Sequence, residues 1–268
     1  MKVIFYLFIF LLGLVIGSFL NSVIYRLDKK ESPLRGRSFC PYCHHKLALI
    51  DLIPVLSFLI LGGRCRYCHK KISLQYPLVE LATAFLFLFS VVYLGLPFDL
   101  FSLLNIFFIF LFLSFLIIIF VYDLKYFIIP DKIIYSAVVS AFLYQVFLAT
   151  RLGFDVGSFD LTLRAVFAGF CAGGFFLFIY LLSQGKWLGF GDVKLAVFLG
   201  FLVSWPNILV VLFFAFLIGA IIGVILIGLK KRNLRSEVPF APFLVAGTIV
   251  ALFAGTKLIE IYISCFVF

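Results

Sequence analysis

The chain has 268 residues, of which 65% are hydrophobic and 13% are charged, and its formal net charge is +10. A soluble domain is roughly half apolar and a quarter charged, so this composition excludes an ordinary soluble fold. It predicts an all-α, polytopic membrane protein. The positive charge does not require a nucleic-acid partner, because membrane proteins concentrate Lys and Arg on one side of the bilayer.

Eight apolar stretches are predicted to be membrane helices, at residues 3–25, 77–94, 101–122, 133–149, 161–182, 193–203, 208–229 and 240–268. A span needs about 20 residues. The stretch 193–203 is too short for this, and we expect it to begin inside a protein-lined site. The first stretch is predicted to be a retained span and not a signal peptide, because its apolar run is long, only Lys2 precedes it and no A-x-A site follows.

The basic residues predict the topology of these spans. Of 22 Lys and Arg residues, 18 lie in four connecting segments that eight spans would put on one common side: 26–71, 125–132, 186–194 and 230–235. Because Lys and Arg accumulate in cytoplasmic loops, we expect this side to be the cytoplasm and both termini to face outward.

The first span carries a stripe of small and polar residues. Gly13, Gly17 and Asn21 recur every four residues, so they share one face of the helix. Small residues let two membrane helices approach closely, and an amide can form a hydrogen bond between them. We therefore expect close helix packing here, with Asn21 as a candidate interhelical hydrogen-bonding residue.

Two Cys-x2-Cys motifs, Cys40/Cys43 and Cys65/Cys68, lie in the long connection after the first span, with 21 residues between them. This spacing is typical of zinc ribbons and knuckles, in which four thiolates close a tetrahedral shell around one structural ion. We expect the polar connection to need zinc to fold, because it has little apolar core. A redox-active thiol pair is the alternative, and a disulfide is disfavoured in a reducing compartment.

The three histidines and the other two cysteines are not expected to bind the metal. His44, His45 and His69 lie next to the cysteines in sequence and are expected to stay outside the metal shell. Cys171 and Cys265 lie in predicted spans, where we expect them to be small core residues.

Two aspartates lie where long apolar stretches meet the predicted cytoplasmic side. Asp123 falls at the C-terminal end of a helix, where the helix dipole disfavours a negative charge, so it is a functional candidate. Asp192 follows Gly189-Phe190-Gly191 and immediately precedes the short stretch 193–203, where helix capping is the alternative role. As a pair the two carboxylates have the chemistry of an aspartic protease, in which one activates water and the other polarises the carbonyl.

Two further acidic residues, Glu80 and Asp131, lie near predicted helix starts. Glu80 lies about one turn into the helix that begins near Pro77, and the sequence leaves open whether it contacts the helix dipole or is a buried acid facing the connection. Asp131 follows Pro130 and is predicted to be the N-cap of the fourth span.

The sequence resembles the bacterial type IV prepilin peptidases, also called leader peptidase/N-methyltransferases, over nearly the whole chain. The motifs that carry the resemblance are Gly17–Asn21 with Tyr25-Arg26, the four cysteines of the connection, Asp51–Ser57, Tyr76–Leu81, Asp123 with Ile129–Asp131, Gly189–Lys194 and Pro239–Phe243. The Gly-x-Gly-Asp element alone also occurs in presenilin-like proteases. Ala241 is a departure, since the family usually has Gly there, and it bears on the local geometry of that loop.

The resemblance implies an aspartic endopeptidase of the bacterial inner membrane. It would remove the short basic leader of type IV prepilins or pseudopilins, after a Gly on the cytoplasmic side, and methylate the new N-terminal amine from S-adenosylmethionine. By this resemblance Asp123 and Asp192 match the catalytic aspartates. The implied partners are these pilins and membrane lipid, with no nucleic acid, in pilus assembly or type II secretion.

The resemblance also implies three regions in the chain. Residues 9–94, which include the cysteine connection and Glu80, match the part tied to methylation; residues 101–229 match the peptidase domain; residues 240–268 form a last membrane helix. No Gly-rich dinucleotide fingerprint locates the S-adenosylmethionine site in the sequence.

Three alternative functions compete with this one. A family member that cleaves without methylating is the nearest, although such members tend to lack the cysteine connection. A transporter predicts repeated halves with helix breaks near mid-membrane, and no such repeat is found. A zinc-bearing membrane scaffold without chemistry does not need Asp123 at an unfavourable helix end.

Overall fold

The computed structural model describes residues 2–29, 31–32, 36–96, 99–151, 156–229 and 238–266. Within these ranges the regular elements are a 3₁₀ turn at Leu49–Leu52 and nine α-helices: α1 (Lys2–Asp28), α2 (Leu56–Ile60), α3 (Gln75–Leu94), α4 (Leu100–Tyr126), α5 (Asp131–Arg151), α6 (Val156–Ser183), α7 (Phe190–Val203), α8 (Asn207–Gly228) and α9 (Ala241–Phe266). The predicted basic segment 230–235 lies outside the described residues, as do Lys30 and Arg35 of the segment 26–71.

Seven of these helices are long and apolar enough to cross a membrane, namely α1, α3, α4, α5, α6, α8 and α9. The helix α7 has 14 residues and corresponds to the stretch that was predicted to be short. The all-α, polytopic membrane architecture that the composition predicts is therefore confirmed.

The chain divides into two compact units, Met1–Ile118 and Ile119–Phe268, and α4 begins in the first and ends in the second. In the first unit α1 and α3 pack with their backbones in contact. A Cβ atom added to Gly13 would lie 2.5 Å from the Cα of Ala84, and one added to Gly17 would lie 2.6 Å from the Cα of Glu80. The side-chain amide of Asn21 donates to the carbonyl of Tyr76 at 3.0 Å, which confirms its interhelical hydrogen bond.

The second unit uses small residues in the same way. A Cβ atom added to Gly200 of α7 would lie 2.4 Å from the Cα of Gly169 in α6, and one added to Gly247 of α9 would lie 2.5 Å from the carbonyl oxygen of Val211 in α8. The Gln145 amide of α5 donates to the carbonyl of Phe201 in α7 at 2.6 Å. Because α7 packs against both α5 and α6, its N-terminal end is positioned by neighbouring helices.

The prediction that Cys171 and Cys265 are core residues is wrong, since both are exposed on the surface of their helices. In a membrane these helix surfaces face other apolar material, in which a small thiol is as compatible as in a core.

Candidate active site and metal site

Asp123 lies in the last turn of α4 and is buried, with 5% of its surface exposed. The helix ends three residues later, at Tyr126, because Phe127 has a φ of +58°; the Phe127 N–H bonds to the carbonyl of Asp123. The carboxylate accepts a hydrogen bond from the backbone N–H of Ala241, the first residue of α9. The start of α9 thus offers Asp123 the favourable N-terminal end of a helix dipole, which its own helix does not supply.

Ala241 is the partner of Asp123 that the sequence did not predict. The motif Pro239–Phe243 was noted only as part of a resemblance, although a proline at Pro242 in the first turn of a helix is a signal for a helix start. Ala241 is fully buried and is not among the residues with positive φ. Alanine therefore fits this position without backbone strain.

Asp192 is the third residue of α7, and Gly189 precedes the helix with extended backbone angles of −77° and 150°. The carboxylate of Asp192 accepts the N–H of Gly189 at 3.3 Å, and the N–H of Asp192 donates back to the carbonyl of Gly189 at 3.1 Å. The carboxylate makes the N3-to-N-cap half of a capping box, and Gly189 has no side chain to make the other half. Asp192 thus stabilises the helix start from the third position and is not the N-cap itself. Gly191 packs closely here, because a Cβ atom would lie 3.1 Å from the side chain of Ile129, which would then have to shift.

The two aspartates come together within the second unit. They are close enough for the charge of Asp123 to act on Asp192. Each also has a backbone N–H partner, from Ala241 or Gly189, which fixes the carboxylate and leaves lone pairs for another group. Two carboxylates that interact electrostatically disfavour being ionised together, and one ionised and one protonated acid are what aspartic protease chemistry requires.

Asp131 does not have the predicted capping role. It is the first residue of α5, and the carbonyl of Pro130 before it accepts the first helical N–H groups, from Ile133 and Ile134. The Asp131 carboxylate instead accepts a hydrogen bond from Lys194 Nζ at 2.6 Å. This ion pair joins the start of α5 to α7 two residues after Asp192.

The four predicted zinc ligands form one cluster. The sulfur atoms of Cys40, Cys43, Cys65 and Cys68 all lie within 4.8 Å of one another, and the Sγ atoms of Cys40 and Cys68 are 3.8 Å apart. Zinc–sulfur bonds of about 2.3 Å in a tetrahedron place neighbouring sulfurs about 3.8 Å apart, so the cluster fits this ion. The histidines next to the motifs, His44, His45 and His69, are not part of this cluster.

The two cysteine motifs fold alike. The N–H of His44 bonds to the carbonyl of Cys40, and that of His69 bonds to the carbonyl of Cys65. Both histidines have positive φ, +54° and +56°, so they turn the chain after each motif. Burial opposes ionisation of Cys40, but hydrogen bonds from the backbone N–H groups of Cys43 and Tyr42 lower its pKa to about 7. This favours the thiolate that a metal ion requires.

Glu80 lies on α3 and is 6% exposed. Its Oε2 accepts the N–H of Val55 at 2.7 Å, and the carboxylate also accepts a hydrogen bond from the Ser18 hydroxyl of α1. Of the two roles that the sequence left open, a buried acid facing the connection is the one found. Both of these hydrogen bonds lie within the first unit.

These features define a polytopic membrane protein with a paired-aspartate site and a four-cysteine metal site. The profile of the bacterial peptidase A24 N-terminal domain matches residues 11–94, and that of the type IV leader peptidase family matches residues 110–224. No solved structure matches the chain.

Several curated relatives carry the name prepilin leader peptidase/N-methyltransferase. The protein from Bacillus subtilis (strain 168) is 34% identical over 256 residues, which cover 96% of this chain and 97% of the relative. The protein from Myxococcus xanthus (strain DK1622) is 37% identical over 240 residues, 87% of this chain and 68% of the relative. The Pseudomonas aeruginosa protein is 29% identical over 277 residues, with shares of 95% and 92%.

The chain therefore belongs to the type IV leader peptidase family, which confirms the resemblance found from the sequence. The functional assignments of Asp123, Asp192, Glu80 and the four cysteines remain predictions, as does the division into regions 9–94, 101–229 and 240–268.

Proposed function

We propose that this protein cleaves the basic leader of type IV prepilins or pseudopilins and methylates the new N-terminal amine. The observation that carries the proposal is the meeting of Asp123 and Asp192 at two helix ends in a member of the leader peptidase family. The same pair argues against a transporter, whose carboxylates are expected near helix breaks at mid-membrane.

In this mechanism the two aspartates share one proton. The ionised carboxylate takes a proton from the attacking water, and the protonated one donates a hydrogen bond to the scissile carbonyl oxygen. The N–H groups of Ala241 and Gly189 orient the carboxylates during these transfers. The tetrahedral intermediate then collapses when the leaving amine receives a proton, which releases the leader.

The topology follows from the distribution of charge. Because 18 of 22 Lys and Arg residues lie in segments on one predicted side, we assign that side to the cytoplasm of a bacterial inner membrane. Asp123 lies two residues before the segment 125–132 and Asp192 lies within the segment 186–194, so the cut site would be cytoplasmic. There the extended cleavage site of a pilin can meet water while its apolar helix stays in lipid.

The methylation activity would use S-adenosylmethionine as the methyl donor and the first unit as its structural basis. Cys40, Cys43, Cys65 and Cys68 would hold a structural zinc ion, because four thiolates close the shell and leave no open position for substrate. The presence of this cluster favours the bifunctional protein over a family member that only cleaves.

The test is a reaction of the purified protein in vesicles with a prepilin whose leader ends in Gly. Mass spectrometry should show loss of the leader without S-adenosylmethionine, and addition of one methyl group when it is supplied. Cleavage without methylation would establish the peptidase-only alternative. An uncut prepilin would contradict the proposal.

A further inference from the structure

Residues 49–60, here called the apolar segment, lie between the two cysteine motifs and outside the helices long enough to cross a membrane. Six of their large apolar side chains are exposed, from 42% for Ile53 to 84% for Leu49. They are Leu49, Ile50, Ile53, Leu56, Leu59 and Ile60. A continuous exposed apolar group of this kind indicates a surface that contacts something other than water.

The apolar segment is folded and two-sided. In α2 the exposed side chains Leu56, Leu59 and Ile60 have the spacing of one helix face. Phe58 faces the other way, and its ring lies 3.0 Å from where a Cβ atom of Gly63 would be. Asp51, the charged residue of the segment, bonds to Arg66 at 2.7 Å and keeps a side-chain exposure of only 4%. The segment thus directs its polar groups inward and its apolar groups outward.

A contact with α3 gives the depth of the apolar segment. The N–H of Val55 donates to Glu80, which is five residues past Gln75, the start of α3. At 1.5 Å per residue, Glu80 is about 8 Å along the helix. The 20 residues of α3 span about 30 Å, which is the thickness of the hydrocarbon core. Val55 therefore bonds to the side chain of a residue that lies below the level at which α3 would enter the bilayer.

The contact with α1 also lies away from the helix end, in a helix of 27 residues that is about 10 Å longer than the hydrocarbon core. Glu80 packs against Gly17, which is eleven residues before the end of α1 at Asp28. Gly17 is therefore about 16 Å below that end of the helix. Leu74 and Leu78, at the start of α3, are 65% and 62% exposed, so the lipid-facing surface of the spans continues to this level.

The backbone of the segment is fixed at this depth. Val55 has φ +60° and ψ −50°, and the N–H of Leu56 bonds to the carbonyl of Pro54 at 2.6 Å, which makes a strained γ-turn. A β-branched residue adopts such angles only where surrounding contacts impose them. The buried carboxylate of Glu80 supplies that contact.

We propose that the apolar segment inserts into the interfacial region of the lipid bilayer and docks the cysteine connection on the membrane. Its occupant is lipid, because its apolar surface lies at the depth of the lipid-facing start of α3. Exposed basic residues follow it in the chain, at Arg64, Lys70 and Lys71, and suit the anionic headgroups above the acyl chains. This inference rests on the membrane topology and would stand if the proposed enzymatic function failed.

The test is photo-crosslinking of the full-length protein in vesicles of phosphatidylglycerol and phosphatidylethanolamine. The photoreactive residue p-benzoyl-phenylalanine replaces Leu59 in one variant and Ile60 in a second, so that failure of one to fold leaves the other. Tyr42, which is 63% exposed in the first cysteine motif, is the matched control position. Lipid adducts should be at least several-fold more abundant at positions 59 and 60 than at 42, with or without prepilin.

Two results would overturn the inference. Equal lipid adducts at positions 59, 60 and 42 would show that the apolar segment is not at the bilayer. Adducts to prepilin that replace the lipid adducts when prepilin is added would show that the surface binds the apolar helix of the substrate.

Discussion

Glu80 shows how one buried carboxylate can organise a connection that is distant in sequence. It accepts the N–H of Val55 and the hydroxyl of Ser18, so it joins the apolar segment to both α3 and α1. Hydrogen bonds to a charged acceptor are roughly twice as strong as neutral ones. We therefore regard Glu80 as a positioning residue of the first unit.

Two substitutions separate positioning from a simple dipole contact. Glu80→Gln keeps an acceptor for Val55, whereas Glu80→Ala removes it and leaves a buried N–H unsatisfied. We expect methylation to fall moderately with Gln and at least tenfold with Ala, while leader cleavage stays nearly intact in both. Methyl transfer to pre-cleaved pilin measures the effect, and normal methylation by Glu80→Ala would show that this carboxylate does not position the first unit for methylation.

The ion pair of Asp131 and Lys194 provides a control beside the aspartate site. The Asp131 side chain is 67% exposed, and exposed ion pairs contribute about 1 kcal/mol or less. We expect Asp131→Asn to lower the free energy of unfolding by no more than this and to retain much of the cleavage activity. Thermal unfolding and prepilin cleavage measure both. Complete loss of cleavage in a folded variant would place Asp131 in the catalytic machinery.

At the scale of helices, packing depends on small residues whose partners lie on other helices. The repeat of Gly13 and Gly17 predicts a close contact because both residues lie on one helix face. Gly169 and Gly173 of α6 have the same spacing and both face α7, but the spacing does not say that Gly200 is the residue that Gly169 contacts. Helix ends were similarly hard to predict, and Asp131 was assigned to a cap that Pro130 provides.

A matched pair of glycine substitutions tests this packing. Gly200→Ala would place a Cβ atom 2.4 Å from the backbone of Gly169, whereas Gly174 in α6 has nothing within 4 Å. Overpacking costs about 1–3 kcal/mol, so Gly200→Ala should lower the unfolding temperature and reduce cleavage. Gly174→Ala should be neutral or slightly stabilising. Equal behaviour of the two variants in thermal unfolding would contradict the observed α6–α7 contact.

A second prediction at this scale concerns the zinc content of the cysteine connection. Purified protein should contain one zinc ion per chain, and Cys40→Ser/Cys65→Ser should lose it, because two of the four thiolates are gone. Loss of the ion should unfold the connection and reduce methylation more than cleavage. Metal analysis and the two activity assays are the measurements. Undiminished zinc in the double variant would reject the site, and equal loss of both activities would show that the connection also shapes the aspartate site.

For the molecule as a whole, the sequence predicted features that depend on composition and local spacing. Long apolar stretches predicted the membrane helices, and a charge within them identified Asp123. The partner of Asp123 could not be predicted, because the N–H of Ala241 comes from a helix far along the chain. The apolar segment was likewise missed, since its residues were treated as part of a polar connection until the contact with Glu80 gave their depth.

The central claim is that Asp123 and Asp192 act as one catalytic unit. Its most direct test is prepilin cleavage in vesicles, followed by mass spectrometry, for Asp123→Asn, Asp192→Asn and the double variant, with Asp131→Asn as the control. Because groups that act as a unit are not additive, the three variants should be folded, membrane-inserted and equally inactive. If either single variant still cleaves at more than a few per cent of the wild-type rate, a loss of only about 2 kcal/mol of transition-state stabilisation, the two-aspartate mechanism is wrong.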